Sequence, residues 1–254
     1  QMRLIGLALL FVLVVFVLPA LAAAAWWELQ ERPRRWSEAD WSSSSLLPDA
    51  TASPDAAIYV MAARTGGFKG AFAVHSWIVT KHAGADSYDR YDKVGWGSPV
   101  RRNGYPADAR WYSNEPWIVR AVHGPEAERL IPAVEAAIEA YPFARPGDYH
   151  IWPGPNSNSF VSHVLASVPE LKAVLPPHAT GRDFAPGFAS LVWSPVARDL
   201  HATLGGYVGL SAGATSGLEL HLLGLVAGFD FADPGLKIPA FGTLSFNGSA
   251  SASD

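Results

Sequence analysis

The sequence predicts an α+β protein: an N-terminal transmembrane helix, an antiparallel sheet packed with helices, and a C-terminal β extension. Three observations carry this expectation. Leu4 to Ala25 runs without a charge and is long enough to cross a bilayer as a helix. Short β-branched and aromatic runs between Ile58 and Val122 precede an apolar stripe at Leu130, Ile131, Val134, Ala137, Ile138 and Tyr141, the spacing of one helix face. From Leu204 to Phe246 the chain is rich in Gly and Leu, broken by turn signals at 213–217 and 233–235.

Residues 1–27 form the membrane element. Arg3 precedes the apolar run, Ala22 to Ala25 offer A-x-A cleavage sites, and Trp26 and Trp27 follow where interfacial aromatics belong. A cleaved secretory signal and an uncleaved anchor both fit, and the anchor is the favoured reading. Counted on basic residues, Arg3 against Arg32, Arg34 and Arg35, the positive-inside rule is nearly balanced. The order of charged, apolar and alanine segments is the one that export machinery reads. The expectation is therefore a single-pass inner-membrane protein with a periplasmic globular part, in contact with lipid through Leu4–Ala25.

Residues 28–57 read as a linker, because Arg, Glu, Ser, Pro and Asp dominate and little of that composition can be buried. The folded core spans 58–177. Ile58 to Ala63 and Gly70 to Lys81 read as strands, with Ala73, His75, Trp77 and Val79 sharing one face of the second by period two. Tyr88–Trp96 and Pro116–Val122 read as further strands. A helix starts near Gly124-Pro125-Glu126, where proline and acidic residues suit a first turn; Pro132 shifts that start if it cannot be accommodated. A second helix covers about 158–167. Residues 178–247 read as an antiparallel meander of the same domain, both of whose faces look covered, and 248–254 as a tail.

Bulk properties exclude several classes of function. A chain of 254 residues with net charge −4 and no long basic run has no general attraction to nucleic acid. With no cysteine, disulfides, thiolate catalysis and cysteine-ligated metals are ruled out. The eight histidines show no H-x-x-x-H or H-E-x-x-H spacing, so neither a metal nor a cofactor is expected.

One constellation carries chemistry. Ser157, in the loop Pro153-Gly154-Pro155-Asn156-Ser157-Asn158, opens an apolar helix, a position where backbone N–H groups can hold an oxyanion. His75 on an upstream strand is a candidate base, and Asp92 or Tyr91 on the next strand a candidate for orienting it. Asn156 and Asn158 are candidate oxyanion donors. Helix capping explains the Asn/Ser cluster equally well, His75 also fits a hydrogen-bonded structural histidine, and the tryptophans fit a core.

The stretch Asn156-Ser157-Asn158-Ser159-Phe160 resembles the N-C-x-x-F loop of circularly permuted papain-like proteins of the NlpC/P60 superfamily, with Ser157 in place of their cysteine and His75 matching their histidine. From Ile58 to about Phe246 the chain also resembles the uncharacterised bacterial DUF3750 proteins, through the H-x-W strand, Tyr91 to Trp96, Tyr105 to Trp111 and the P-G-P-N-S-N loop. The first resemblance implies a papain-like core, a bacterial-envelope setting, and amide or acyl transfer on cell-wall peptide, glycan or lipid; the second implies no established function. Serine in a site shaped for sulfur leaves its oxygen short of the carbonyl. A catalytically silent binding domain, or an accessory subunit of a membrane complex, is the alternative to a hydrolase or acyltransferase.

Overall fold

The computed structural model describes residues 2–247; the expected tail at 248–254 lies outside them. The N-terminal apolar run forms α1 (Met2–Val12), a π-helical segment (Leu13–Val17) and α2 (Leu18–Glu28). Together they make one 27-residue helix, long and apolar enough to cross a membrane. Its C-terminal end is docked rather than free. The Trp27 indole N–H donates to the Gly67 carbonyl at 2.9 Å, and the Arg64 guanidinium lies 4.8 Å from the centre of the Trp26 ring. A Cβ on Gly70 would stand 2.2 Å from the Trp27 ring, so only glycine lets the indole seat there.

Five strands form the first sheet: β1 (Ala57–Arg64), β2 (Val74–Lys81), β3 (Asp89–Lys93), β4 (Val100–Arg102) and β5 (Trp117–His123). Their order is β4-β3-β2-β1-β5, with antiparallel neighbours throughout. Every residue of β1 and β2 is buried, because both faces of the sheet are covered. On one face Ile58, Val60, Val74 and Ile78 pack against α3 (Gly124–Glu139) and α4 (Ser157–Ser167), through Leu130, Ile131, Val134, Phe160 and Val164. Helix α3 starts at Gly124 and runs through Pro132, so the proline does not delay it.

The other face is closed by chain that composition marks as a spacer. Leu47 and Ala50 are buried, and Trp41 and Leu47 pack with Tyr59, Trp77 and Trp111. The Asp108 carboxylate accepts from the Ser43 hydroxyl at 2.6 Å and the Leu47 N–H at 3.0 Å. Residues 41–56 are a strap, held because the aromatic sheet face beneath would otherwise meet water.

The second sheet is a seven-stranded meander: β6 (Ala189–Ser194), β7 (Asp199–Leu204), β8 (Val208–Gly213), β9 (Gly217–Leu222), β10 (Leu225–Asp230), β11 (Gly235–Ile238) and β12 (Gly242–Ser245). Its two faces differ sharply, contrary to the expectation that both are covered. Leu191, Ala202, Leu210, Leu220 and Ala227 form one cross-strand row on a face where Leu191, Trp193, Leu204, Leu210, Leu218 and Leu220 are exposed. His201, Ser211 and Glu219 form a row on the opposite, inner face. Outward positions are mostly apolar, whereas inward ones are largely polar or glycine, apart from Val192 beside His201 and Val226 beside His221. The π-helical segment packs on β10, burying Phe16.

Candidate functional site

His75 lies near the start of β2, and Nε2 of its ring is 2.7 Å from Asp92 Oδ1. The Arg90 guanidinium closes on the same carboxylate in a fork, Nε to Oδ2 at 2.7 Å and Nη2 to Oδ1 at 2.9 Å. All three side chains are buried. Burial lowers the His75 pKa from its usual 6.5, outweighing the pull of Asp92 in the other direction. Burial would raise the Asp92 carboxyl, but Arg90 and His75 hold it well below the ordinary range. At neutral pH the site is therefore a neutral imidazole donating Nε2–H to an ionised carboxylate. The Trp111 indole lies flat over the His75 ring, with centroids 3.7 Å apart and planes at 6°.

Ser157 is the first residue of α4 and is buried. Asn156 is the N-cap: its side-chain oxygen accepts from the Asn158 and Ser159 N–H groups, and the Ser159 hydroxyl accepts from the Asn156 N–H in return. This is a capping box. The Asn156 amide NH2 donates to the Ile151 and Thr180 carbonyls. That of Asn158 donates to Val74 and Thr180, while its oxygen accepts from the Ser76 hydroxyl. Both amide groups are thus committed to carbonyls that hold the loop, β2 and residue 180 together. They are not poised as oxyanion donors. Gly181 has φ +93°, and a Cβ there would stand 2.1 Å from Asn156 Nδ2, so glycine is required beside the cap.

Period two separates the remaining candidates. His75, Trp77, Arg90 and Asp92 share the aromatic face, Arg90 lying 4.0 Å over the Trp77 ring. Ser76 and Tyr91 share the face covered by α4, where Tyr91 joins the helix-side core. Asp92, not Tyr91, is therefore the partner of His75. Ser157 belongs to α4, and among the described residues no hydrogen bond joins it to His75. Its side chain lies beside the Tyr149 hydroxyl, which burial pushes up to about 12 while Ser157 pulls slightly the other way.

A second polar cluster, absent from the sequence expectations, lies under the inner face of the meander. Asp183, His201 and His221 each offer a ligand atom, all within 4.8 Å of one another. Glu219, Arg182 and Lys237 surround them. The cluster borders a cavity of about 380 Å³ between α4, residues 169–186 and β6–β9. Phe143, Leu165, Phe184 and Val192 line it together with Thr203, Ser211 and His201. The sequence signal was the inward row of β7, β8 and β9. Spacing rules for helical or loop ligands pass over it, because the meander makes the histidines neighbours.

No curated protein and no solved structure matches the chain. A family model described as a protein of unknown function (DUF3750) matches residues 55–184, which take in β1 to β5, both core helices, the capped asparagine loop and Asp183. The chain belongs to the DUF3750 family.

Proposed function

We propose that this is a membrane-anchored protein of the bacterial envelope, held in the inner membrane by Leu4–Ala25 with its folded part on the periplasmic side, that binds a lipid-like ligand in the cavity beneath the meander and is catalytically silent at Ser157. The observation that carries the reading is the cavity: about 380 Å³, of the size that takes a small amphipathic molecule, with a mostly apolar surface interspersed with polar side chains. The sheet above it turns an apolar face outward and packs on the anchor helix, so bilayer and cavity are close together. The silent reading rests on His75 and Ser157 being buried, on Trp111 covering the imidazole and on the spent Asn156 and Asn158 amides. The test is equilibrium binding of a fluorescent fatty acid to detergent-purified, delipidated full-length protein. One saturable site is expected, weakened at least tenfold by Ser162→Trp, which fills the cavity; no saturable binding refutes the reading.

A second reading keeps the papain-like relationship and an active site. It is favoured by the neutral His75 bonded to Asp92, the arrangement an acyl-transfer base requires. There Ser157 Oγ would add to a carbonyl carbon as its proton passes to His75 Nδ1, and the Ser157 N–H would hold the oxyanion. The protonated ring would return that proton to the leaving amine or alcohol, and water or an acceptor would release the acyl group. Treatment with a fluorophosphonate separates the two readings. Covalent labelling lost in Ser157→Ala establishes the hydrolase or acyltransferase, and an absence of labelling in folded protein supports the silent domain.

A further inference from the structure

The inner face of the meander holds groups that its fold alone does not explain. Among the described residues, Nδ1 of His221 is buried without an aligned hydrogen bond. Asp183 Oδ1 stands 2.9 Å from it but off the N–H axis. Nε2 of His201 is 3.6 Å from the same oxygen. The far side of each ring is held. Nδ1 of His201 lies 2.7 Å from the Ser211 hydroxyl, and Nε2 of His221 lies 3.2 Å from Glu219 Oε2. Each imidazole thus has one nitrogen engaged behind it and the other turned toward Asp183. A hydrogen bond to the far nitrogen is what fixes the ring of a metal-binding histidine.

Spacing agrees with this. Two donors bound tetrahedrally to zinc at its usual distances stand about 3.3 Å apart; the two imidazole-to-Asp183 separations are 2.9 Å and 3.6 Å, and all three donor atoms lie within 4.8 Å of one another, so a small closure of the two imidazoles completes the set. Gly209 faces inward in register with His221. A Cβ at 209 would press on His221 Nδ1 at 3.3 Å, so the glycine keeps that side of the ring clear. Asp183 and His201 both line the cavity, leaving a direction open for a further ligand.

We infer that Asp183, His201 and His221 form a mononuclear site for a divalent cation of the zinc type, open toward the cavity. Two imidazoles and one carboxylate form a donor set characteristic of zinc and its first-row neighbours, and three protein ligands with an open position mark a site that also takes an outside group. Surrounding charge indicates what that group is. Arg182 and Lys237 face Asp183, Glu219 and, 3.8 Å from Lys237, Asp230, so a bound dication brings more positive charge into a buried place than these carboxylates balance. The open position accordingly takes an anionic oxygen donor: hydroxide, or the carboxylate or phosphate of a cavity ligand. The metal site does not depend on a lipid filling the cavity.

The test uses detergent-solubilised full-length protein without a polyhistidine tag, stripped with a chelator and titrated with zinc against a chromophoric competitor, then with cobalt(II). One zinc per chain is expected, with the visible d–d bands of low-coordinate cobalt. His201→Ala and Asp183→Asn should each weaken zinc binding tenfold or more, whereas His150→Ala, at an exposed histidine outside the cavity lining, should leave it unchanged. His201 is half-exposed, so its variant is the one best able to fold, and circular dichroism checks this. Zinc should also raise the melting temperature of the unaltered protein but not of His201→Ala. Failure of the unaltered chain to take up zinc overturns the proposal, as does equal uptake by folded His201→Ala.

Discussion

The Arg90 guanidinium and the Asp92 carboxylate form a two-point ion pair in which neither side chain is accessible to solvent, and His75 completes the carboxylate's coordination. A buried pair of this kind adds little over a well-packed apolar substitute, but breaking it strands a charge. Asp92→Asn should therefore destabilise the protein by about 3–5 kcal/mol, read as a lower denaturation midpoint in detergent. The double variant Arg90→Met/Asp92→Asn should recover part of the loss, because no unpaired guanidinium remains. If the single variant melts like the unaltered protein, the network does not hold this sheet together.

Buried His75 and His178 set an acid-labile response, partly opposed by buried His221, whose pKa, against its burial, is raised by Asp183 and Glu219. Burial lowers the pKa of His75 and takes that of His178 well below 6.5, the latter with help from Arg64 and Arg182. A histidine depressed on folding takes up its proton more readily when unfolded. Its contribution to stability is whole above 6.5 and is lost as pH falls from there toward the folded value. The depressed Asp92 carboxyl acts in the same direction at lower pH, below the ordinary carboxylate range. Melting temperature should thus decline from about pH 6.5 downward, before the carboxylates titrate. Among the described residues both ring nitrogens of His178 lack partners, and the ring stacks on Trp117. His178→Phe should keep the stack, melt no lower at pH 8 and show a shallower slope between pH 5 and 8. A slope equal to that of the unaltered protein would falsify this assignment.

The sequence made the N-terminal apolar helix, β1, β2 and the two core helices legible because each carries a local signal: an uncharged run, β-branched pairs, or an apolar stripe bounded by caps. The face of His75 could also be read, since period two puts it with Trp77, and the same rule applied to β3 separates Asp92 from Tyr91. What could not be read was set by distant chain. Nothing near Trp41 or Leu47 shows that Asp108 will hold them over the aromatic face. The committed amides of Asn156 and Asn158 depend on Thr180, more than twenty residues away. Asp183, His201 and His221 meet only through cross-strand register. In the meander the alternation was present in the leucines, but with its sign inverted relative to a soluble sheet.

The cap at α4 depends on how closely Gly181 approaches it. A side chain at 181 meets a positive φ and the Asn156 amide at once, so Gly181→Ala should displace Asn156 and loosen the first helical turn. Asn156→Ala removes the acceptor for two N–H groups, and loss of such a cap costs about 1–2 kcal/mol. Gly181→Ala should cost at least as much, and the double variant much less than the sum, because both changes undo one contact. Additive losses in denaturant titrations would show that the two positions act separately.

The outward face of the meander makes the last prediction. Soluble proteins seldom expose a large apolar patch; here β6 to β9 with β11 and β12 turn exposed leucines to one side, beside a helix that is itself suited to lipid. The bilayer is therefore the expected cover of this face. The chain has no cysteine, so Leu220→Cys can be labelled uniquely with an environment-sensitive fluorophore and the protein placed in lipid nanodiscs. Brominated lipids should quench the probe at 220 and leave one at Glu126→Cys, on the exposed side of α3, accessible to aqueous iodide. Quenching at 220 by iodide alone would put that face in water. A probe shielded from both quenchers, together with cross-linking between chains at 220, would mean that a second copy covers the sheet instead.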